Sequence, residues 1–338
     1  MNEIRLNIYA IGVQIIAESP IIVNIGKDFE YFHDRDVNKT TDATIRLRAV
    51  KSKPPYERLK GLRASLYLPE SISFDKEGVR YVDYQGKLLT VYNYRTEEGE
   101  IYSEDDQLMY EVVYLLIHSR VGELMDKKGK HRVHALGITV AEEGAVLLLP
   151  QGGGKTTLCL ELLKNKSVKI ISDDTPLINK KGYLFPFPLR IGIDQSHALD
   201  VPFEYIRTFN RRKYGIKKLI DIGYFSGQIA GTALCRFVFI GEREYSNNAR
   251  IVNVGKIKAF SSLFKNCVIG LGLPQVVEYF LRNDRRDLAA KLMVVASRIA
   301  ASIVVILRSK TLLFVMGLDS GKNAETLIRY ISESNGKT

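Results

Sequence analysis

Gln151-Gly152-Gly153-Gly154-Lys155-Thr156-Thr157 stands between the apolar run Ala145–Leu149 and a stretch of helical pattern, Thr156 to Lys164. The reading of these seven residues decides the fold. Glycine tolerates backbone conformations that a side chain forbids, so three in a row let several amide N–H groups converge on one anion. A helix that starts directly after such a loop adds partial positive charge at its N-terminus. Strand, glycine loop and helix together predict a phosphate-binding loop. In that reading Lys155 reaches the β- and γ-phosphates of a nucleoside triphosphate, and the Thr156 hydroxyl meets Mg²⁺. All seven residues, Gln151 to Thr157, are expected to bind nucleotide. One position departs from the usual G-x-x-x-x-G-K-[ST] pattern: Leu149 stands where the first glycine is asked for.

Eighteen residues beyond Lys155, Asp173 and Asp174 end a predicted strand, Val168–Ser172. A carboxylate on the strand that follows the loop's helix can lie beside the phosphates. Two tasks await such a pair: holding Mg²⁺, and taking the proton of an attacking hydroxyl. The spacing is that of kinases, because transporter-type ATPases place their acidic metal strand much farther along. From Thr175 to Phe187 the pattern reads as a hairpin around Asn179-Lys180-Lys181-Gly182.

Upstream of the loop, Ala135–Val140 and Ala145–Leu149 read as two strands joined by a tight turn at Glu142-Glu143-Gly144. Before them, residues 1 to about 103 are rich in β-branched and aromatic residues, with a short helical stretch at Ile22–Phe32. A helix is expected from about Asp105 to Met125. The charged break Asp126-Lys127-Lys128-Gly129-Lys130 marks the expected division into a strand-rich α+β region, 1–128, and a catalytic domain, 129–338. The first region carries no catalytic motif, so acceptor recognition is its expected role. His33 with Asp34, Asp36 and Asp42 matches no metal-ligand spacing. Toward the C-terminus helices are expected at Ala259–Phe264, Gln275–Arg282 and Arg286–Ala300, then strands at Val304–Leu307 and Leu312–Met316.

The wider composition narrows the class of protein. Hydrophobic residues make up 46% and charged residues 26% of 338, which is ordinary for a globular chain and unlike a disordered one. With 49 Lys and Arg against 38 Asp and Glu, the net charge of +11 favours acidic partners. Three cysteines without metal-like spacing point to a reducing compartment. The start of the chain lacks the apolar core of a signal peptide. The most apolar stretch, Leu292 to Leu307, is interrupted by Ser297 and Arg298 and reads as a buried helix followed by a strand. A cytoplasmic protein with no membrane partner is expected. The basic run Arg207 to Lys218 reads as a solvated face or as a mobile loop that contacts phosphates or an acidic acceptor. No nucleic-acid module surrounds it, so nucleic acid is not expected as a partner. A homo-oligomer is compatible with the sequence.

The segment from Val133 to Ile193 resembles the catalytic core of HPr kinase/phosphorylase and the related serine kinases. The resemblance rests on His134-Ala135, LLLPQGGGKTTL at 147–158, ISDD at 171–174 and FPFPLR at 185–190. A looser likeness covers Leu312–Gly317, Asp319 and Asn323-Ala324. It implies an α/β fold like that of phosphoenolpyruvate carboxykinase, a mixed sheet with the phosphate loop between a strand and a helix. It also implies transfer of a γ-phosphoryl group from ATP or another nucleoside triphosphate, with Mg²⁺, to a serine of a peptide or protein. By the same resemblance Asp173 is the base, Asp174 the Mg²⁺ partner, His134 a neighbour of the phosphates and Arg190 a nucleotide contact, with the two aspartate roles open to exchange. Read from the residues alone, His134 could equally be a surface histidine and Arg190 a cover for apolar surface. Arg190-Ile191-Gly192-Ile193 is a fragment of the longer signature of bifunctional members, so phosphorolysis is not expected. Two alternatives remain. One is a small-molecule kinase of the shikimate or adenylylsulfate kind, with 207–218 as its lid and a small-molecule acceptor. The other is a nucleotide-binding regulatory or scaffold protein with little turnover.

Overall fold

From the N-terminus the chain builds an antiparallel pair, β1 (Asn2–Ile8) and β2 (Ile11–Ala17), then α1 (Ile21–Asp28) and six more strands. These are β3 (Ala43–Lys51), β4 (Ala64–Leu68), β5 (Ser71–Lys76), β6 (Val79–Asp83), β7 (Leu88–Asn93) and β8 (Glu98–Ser103). The computed structural model describes residues 2–18, 20–34, 40–150, 152–193, 201–211, 215–271, 273, 277–280, 282 and 285–335. The eight strands form one sheet in the order β1-β2-β3-β8-β7-β6-β5-β4, parallel at β2/β3 and β3/β8 and antiparallel elsewhere. Helix α2 (Asp106–Lys127) follows, capped by Asp105, whose carboxylate accepts from the amides of Gln107 and Leu108 at 2.9 and 3.0 Å. Its Val112, Leu116 and Val121 are fully buried, as their spacing predicts.

Next come β9 (His131–Arg132), β10 (Leu136–Val140), β11 (Glu143–Leu148), α3 (Lys155–Leu163), β12 (Val168–Ser172), β13 (Leu177–Ile178), β14 (Tyr183–Phe185) and β15 (Ile191–Ile193). The β10–β11 turn is made by Ala141 and Glu142, with φ of 50° and 66°. Both central residues of a two-residue hairpin loop take left-handed φ, so Glu143 and Gly144 belong to the strand rather than the turn. Of the basic run, read as a solvated face or a mobile loop, Arg207, Arg211, Lys217 and Lys218 lie on two antiparallel strands, β16 (Ile206–Arg211) and β17 (Gly215–Ile220), and Arg212 and Lys213 lie outside the described residues. Arg207 within it is held by Asp28 at 2.7 Å and Asp221 at 2.6 Å.

The remaining elements are β18 (Ala233–Arg243), β19 (Arg250–Asn253), α4 (Lys256–Phe264), α5 (Val277–Phe280), α6 (Arg285–Arg308), β20 (Lys310–Met316) and α7 (Ser320–Asn335). The expected strand Val304–Leu307 is instead the last turns of α6. Lys256 Nζ donates to the carbonyls of Ile306 and Leu307, both at 2.8 Å, which satisfies the helix's C-terminal acceptors. Over Asp287–Arg308 this helix is long and apolar enough to cross a membrane by composition alone. Only 28% of its apolar window is buried, so the expected buried helix is not what this segment forms.

The chain divides into two compact units, Met1–Met125 with Asp194–Asp221 and Pro274–Lys291, and Asp126–Ile193 with Ile222–Leu273 and Leu292–Thr338. The sequence reading places one boundary between 128 and 129, whereas the units interleave along the chain. In the first unit the returning segment is tied to the sheet by buried Tyr279, which donates to Thr90 Oγ1 at 2.8 Å, and by Arg80, which donates to the Glu278 carbonyl at 2.7 Å. The second unit is a mixed sheet, β12-β10-β11-β18-β14-β13-β9, with β20 beside β18 and β19 beside β20. Pairs β11/β18 and β18/β20 are parallel, while β10 is antiparallel to both its neighbours. Helices α3 and α7 pack together, and Ala324, Leu327 and Ile331 bury one stripe of α7.

Candidate functional site

The sheet of the second unit brings three segments to one edge. Strands β11 and β12 point the same way because each is antiparallel to β10 between them. Leu136 is opposite Leu147, and Gly137 is opposite Ser172. The end of β11, the end of β12 and the start of β10 therefore share an edge. They carry the glycine loop, the Asp173-Asp174 pair and His134.

The loop turns sharply after β11. The Gly153 amide donates to the Pro150 carbonyl at 2.9 Å, and Gly152 and Gly154 take φ of 73° and 84°. Gly154 is the N-cap of α3, in the left-handed region that glycine enters without penalty. The first-turn N–H groups of a helix have no acceptor within it, and here they open onto the loop. Lys155, Thr156 and Thr157 supply that first turn, and Leu158, Cys159, Leu162 and Leu163 bury its opposite face. Gln151, expected among the binding residues, lies outside the described residues.

Lys155 is drawn into a tight cluster. Its Nζ lies 2.6 Å from Asp174 Oδ1 and 3.1 and 3.3 Å from the two ring nitrogens of His134. His134 Nδ1 is itself 3.1 Å from the same carboxylate oxygen. The backbone fixes this meeting. The amides of Val133, His134 and Ala135 donate to the carbonyls of Pro176, Asn266 and Asp174, each at 3.0 Å. Desolvation works to raise the Asp174 pKa, but the His134 hydrogen bond and the Lys155 charge win and hold it well below the usual carboxylate range. Asp174 keeps 41% of its side chain exposed, against 11% for Lys155 and 10% for His134, so the carboxylate is the open side of the cluster.

Asp173 is buried, at 8% exposure. Burial first, and the Asp173 charge second, push the Cys159 thiol well above its ordinary value. The pair follows a break in register: Gly137 and Ile138 pair with Ser172 and Ile170, leaving Ile171 as an extra residue. Such a bulge re-aims the side chains that follow it. Arg190 is half-buried immediately before β15, a strand that packs on α3.

One further residue lies on the loop without any mark in the sequence. Arg243, the last residue of β18, donates from Nε to the Gly153 carbonyl at 3.3 Å. It is ninety positions from the loop in sequence, and only the parallel pairing of β11 with β18 brings it there.

No protein-family model matches the chain, and no curated protein does. Among solved structures it is similar to the HPr(Ser) kinase/phosphatase from Coxiella burnetii, at 9% identity, with 62% of this chain and 100% of that chain covered and a TM-score of 0.29. The resemblance is weak and at the level of the fold.

Proposed function

We propose that this chain is a nucleoside-triphosphate-dependent kinase that transfers the γ-phosphoryl group to a hydroxyl, that of a serine in a peptide or protein acceptor. The observation that carries the reading is Lys155. It stands at the first position of the helix behind the glycine loop, with its ammonium beside the carboxylate of Asp174, whose pKa is held low. In the reaction the acceptor oxygen forms a bond to the γ-phosphorus while the bond to the β–γ bridging oxygen breaks, and the nucleoside diphosphate leaves. The acceptor proton passes to Asp173. Lys155 and the loop amides hold the phosphate oxygens, so the protein's contribution is position and charge stabilisation.

The donor set suits Mg²⁺. Thr156 and Asp174 offer hard oxygen atoms, and Mg²⁺ typically takes one or two carboxylates together with substrate phosphates and retained waters. When bound there, it would neutralise charge on the phosphates. His134 holds the Asp174 carboxylate and the Lys155 ammonium in one cluster. Arg207 weighs against the small-molecule reading, because its buried pairing with Asp28 and Asp221 leaves it unsuited to a mobile phosphate-closing lid.

The test is calorimetric titration of the purified chain with ADP and ATP in the presence of Mg²⁺, beside Lys155→Ala, followed by transfer of labelled γ-phosphate to serine peptides. Binding by the parent and its loss in Lys155→Ala is the expected result. Equal affinity in the two proteins would remove the phosphate-site reading, and binding without any transfer would leave the binding-module alternative.

A further inference from the structure

Strand β18 ends Ile240-Gly241-Glu242-Arg243. Side chains alternate along a strand, so Gly241 and Arg243 face one way and Glu242 the other. Glu242 indeed turns to Lys258, at 3.0 Å. On the face toward the glycine loop, Gly241 presents no side chain, and Arg243 lies over the loop itself. A Cβ placed on Gly154 would come within 2.4 Å of Arg243 Nη2 and 3.3 Å of its Cζ. The guanidinium therefore covers the last glycine before Lys155, at the point where the N–H groups of the loop open.

Three observations separate this arginine from a structural one. Its single side-chain hydrogen bond among the described residues goes from Nε to the Gly153 carbonyl, at 3.3 Å. No carboxylate pairs with it among the described residues, since neighbouring Glu242 and Glu244 are engaged by Lys258 and Arg250. It is exposed, whereas the chain's structural arginines Arg80, Arg120 and Arg298 are buried against carboxylates. A planar guanidinium anchored by Nε keeps both terminal nitrogens for a second partner, and that fork matches two oxygens of one phosphate.

We propose that Arg243 is a second cationic ligand of the phosphate chain, closing over the glycine loop opposite Lys155. The inference rests on the reading of the loop as a triphosphate site. Lys155 and Arg243 divide the work by chemistry. Lys155 enters the cluster of Asp174 and His134, on the side where transfer takes place. Arg243 approaches from β18 and grips oxygens over Gly153 and Gly154. It acts on phosphates rather than on base or sugar, so its contribution is the same for any nucleotide and for inorganic tripolyphosphate.

The experiment titrates inorganic tripolyphosphate and ADP into the parent, Arg243→Gln, Arg243→Lys and Lys155→Ala, by calorimetry at two salt concentrations, with melting temperature as a control for folding. Gln keeps a donor for the Gly153 carbonyl but carries no charge, so a role limited to holding the loop survives it. The expected result is a loss of roughly 10–100-fold in affinity for both ligands in Arg243→Gln, the range for a charged hydrogen-bonding partner. Arg243→Lys should recover part of that loss, and the gap should narrow at high salt. Parent-like affinity in Arg243→Gln together with lost affinity in Lys155→Ala would overturn the inference and leave the site reading standing. Parent-like affinity in Lys155→Ala would overturn both.

Discussion

Leu149 fills the space that Gly241 leaves empty. A Cβ on Gly241 would stand 2.3 Å from Leu149 Cδ2 and 2.9 Å from its Cγ, closer than real packing permits. Leu149 is the residue that replaces the usual first glycine of the loop pattern, and it is buried. Its side chain is tolerated because the adjacent parallel strand carries glycine opposite it. Gly241→Ala should therefore destabilise the second unit by about 1–3 kcal/mol, the cost of overpacking. The same change made in a Leu149→Ala background should cost much less. A double-mutant cycle in urea measures the coupling, and strict additivity would contradict the account.

Asp174 makes stability depend on pH in a defined direction. Its pKa is depressed in the folded chain, so its contribution is fully present above the ordinary carboxylate value and is lost as pH falls toward the depressed one. The difference in melting temperature between the parent and Asp174→Asn should be constant from neutral pH down to about pH 5 and shrink below about pH 4. With 41% of the side chain exposed, solvent screening keeps the effect small, below that of a buried pair. A difference that grows on acidification would show that the carboxylate is not held by Lys155 and His134.

The two aspartates should fail in different ways. Asp173→Asn cannot take the acceptor proton and should lose roughly 10²–10⁴-fold in transfer rate at saturating Mg²⁺. Asp174→Asn should shift the Mg²⁺ concentration needed for half-maximal rate, because a hard oxygen ligand loses its charge. Mg²⁺ titrations of transfer by both variants check the assignment. Interchanged curves would exchange the two roles.

A buried ionic cluster in the second unit offers a test of stability away from the site. Asp126 pairs with Arg298 at 2.5 Å and with His131 at 2.8 Å, and His131 Nε2 reaches Ser297 Oγ at 2.9 Å. Burial acts to raise the Asp126 pKa, yet His131 and Arg298 hold it below the usual range. Arg298→Ala leaves that carboxylate without its strongest counter-ion and should cost about 3–5 kcal/mol in denaturant unfolding. Replacing Arg298 with Met and Asp126 with Leu together should cost less than Arg298→Ala alone.

The local pattern determined the parts. Glycines before a lysine, an apolar run ahead of them and a helical pattern behind them were enough to place the loop on β11 and α3. The same holds for Asp173 and Asp174 at the end of β12 and for α2, because periodicity and caps act over a few residues. Where the local signal was ambiguous the reading erred. Val304–Leu307 is β-branched like a strand but is the end of α6, since Lys256, some fifty positions upstream, satisfies its carbonyls. Arg207, in the basic run, pairs with Asp28, about 180 positions away, a partner that no local pattern shows. Only the tertiary structure decided that β10 lies between β11 and β12, and so gathers His134, Lys155 and Asp174 at one edge. Parallel pairing of β11 with β18 likewise set Gly241 beneath Leu149 and Arg243 over Gly154. Strand order and register depend on contacts between residues far apart in the chain, and no short window of sequence contains both partners.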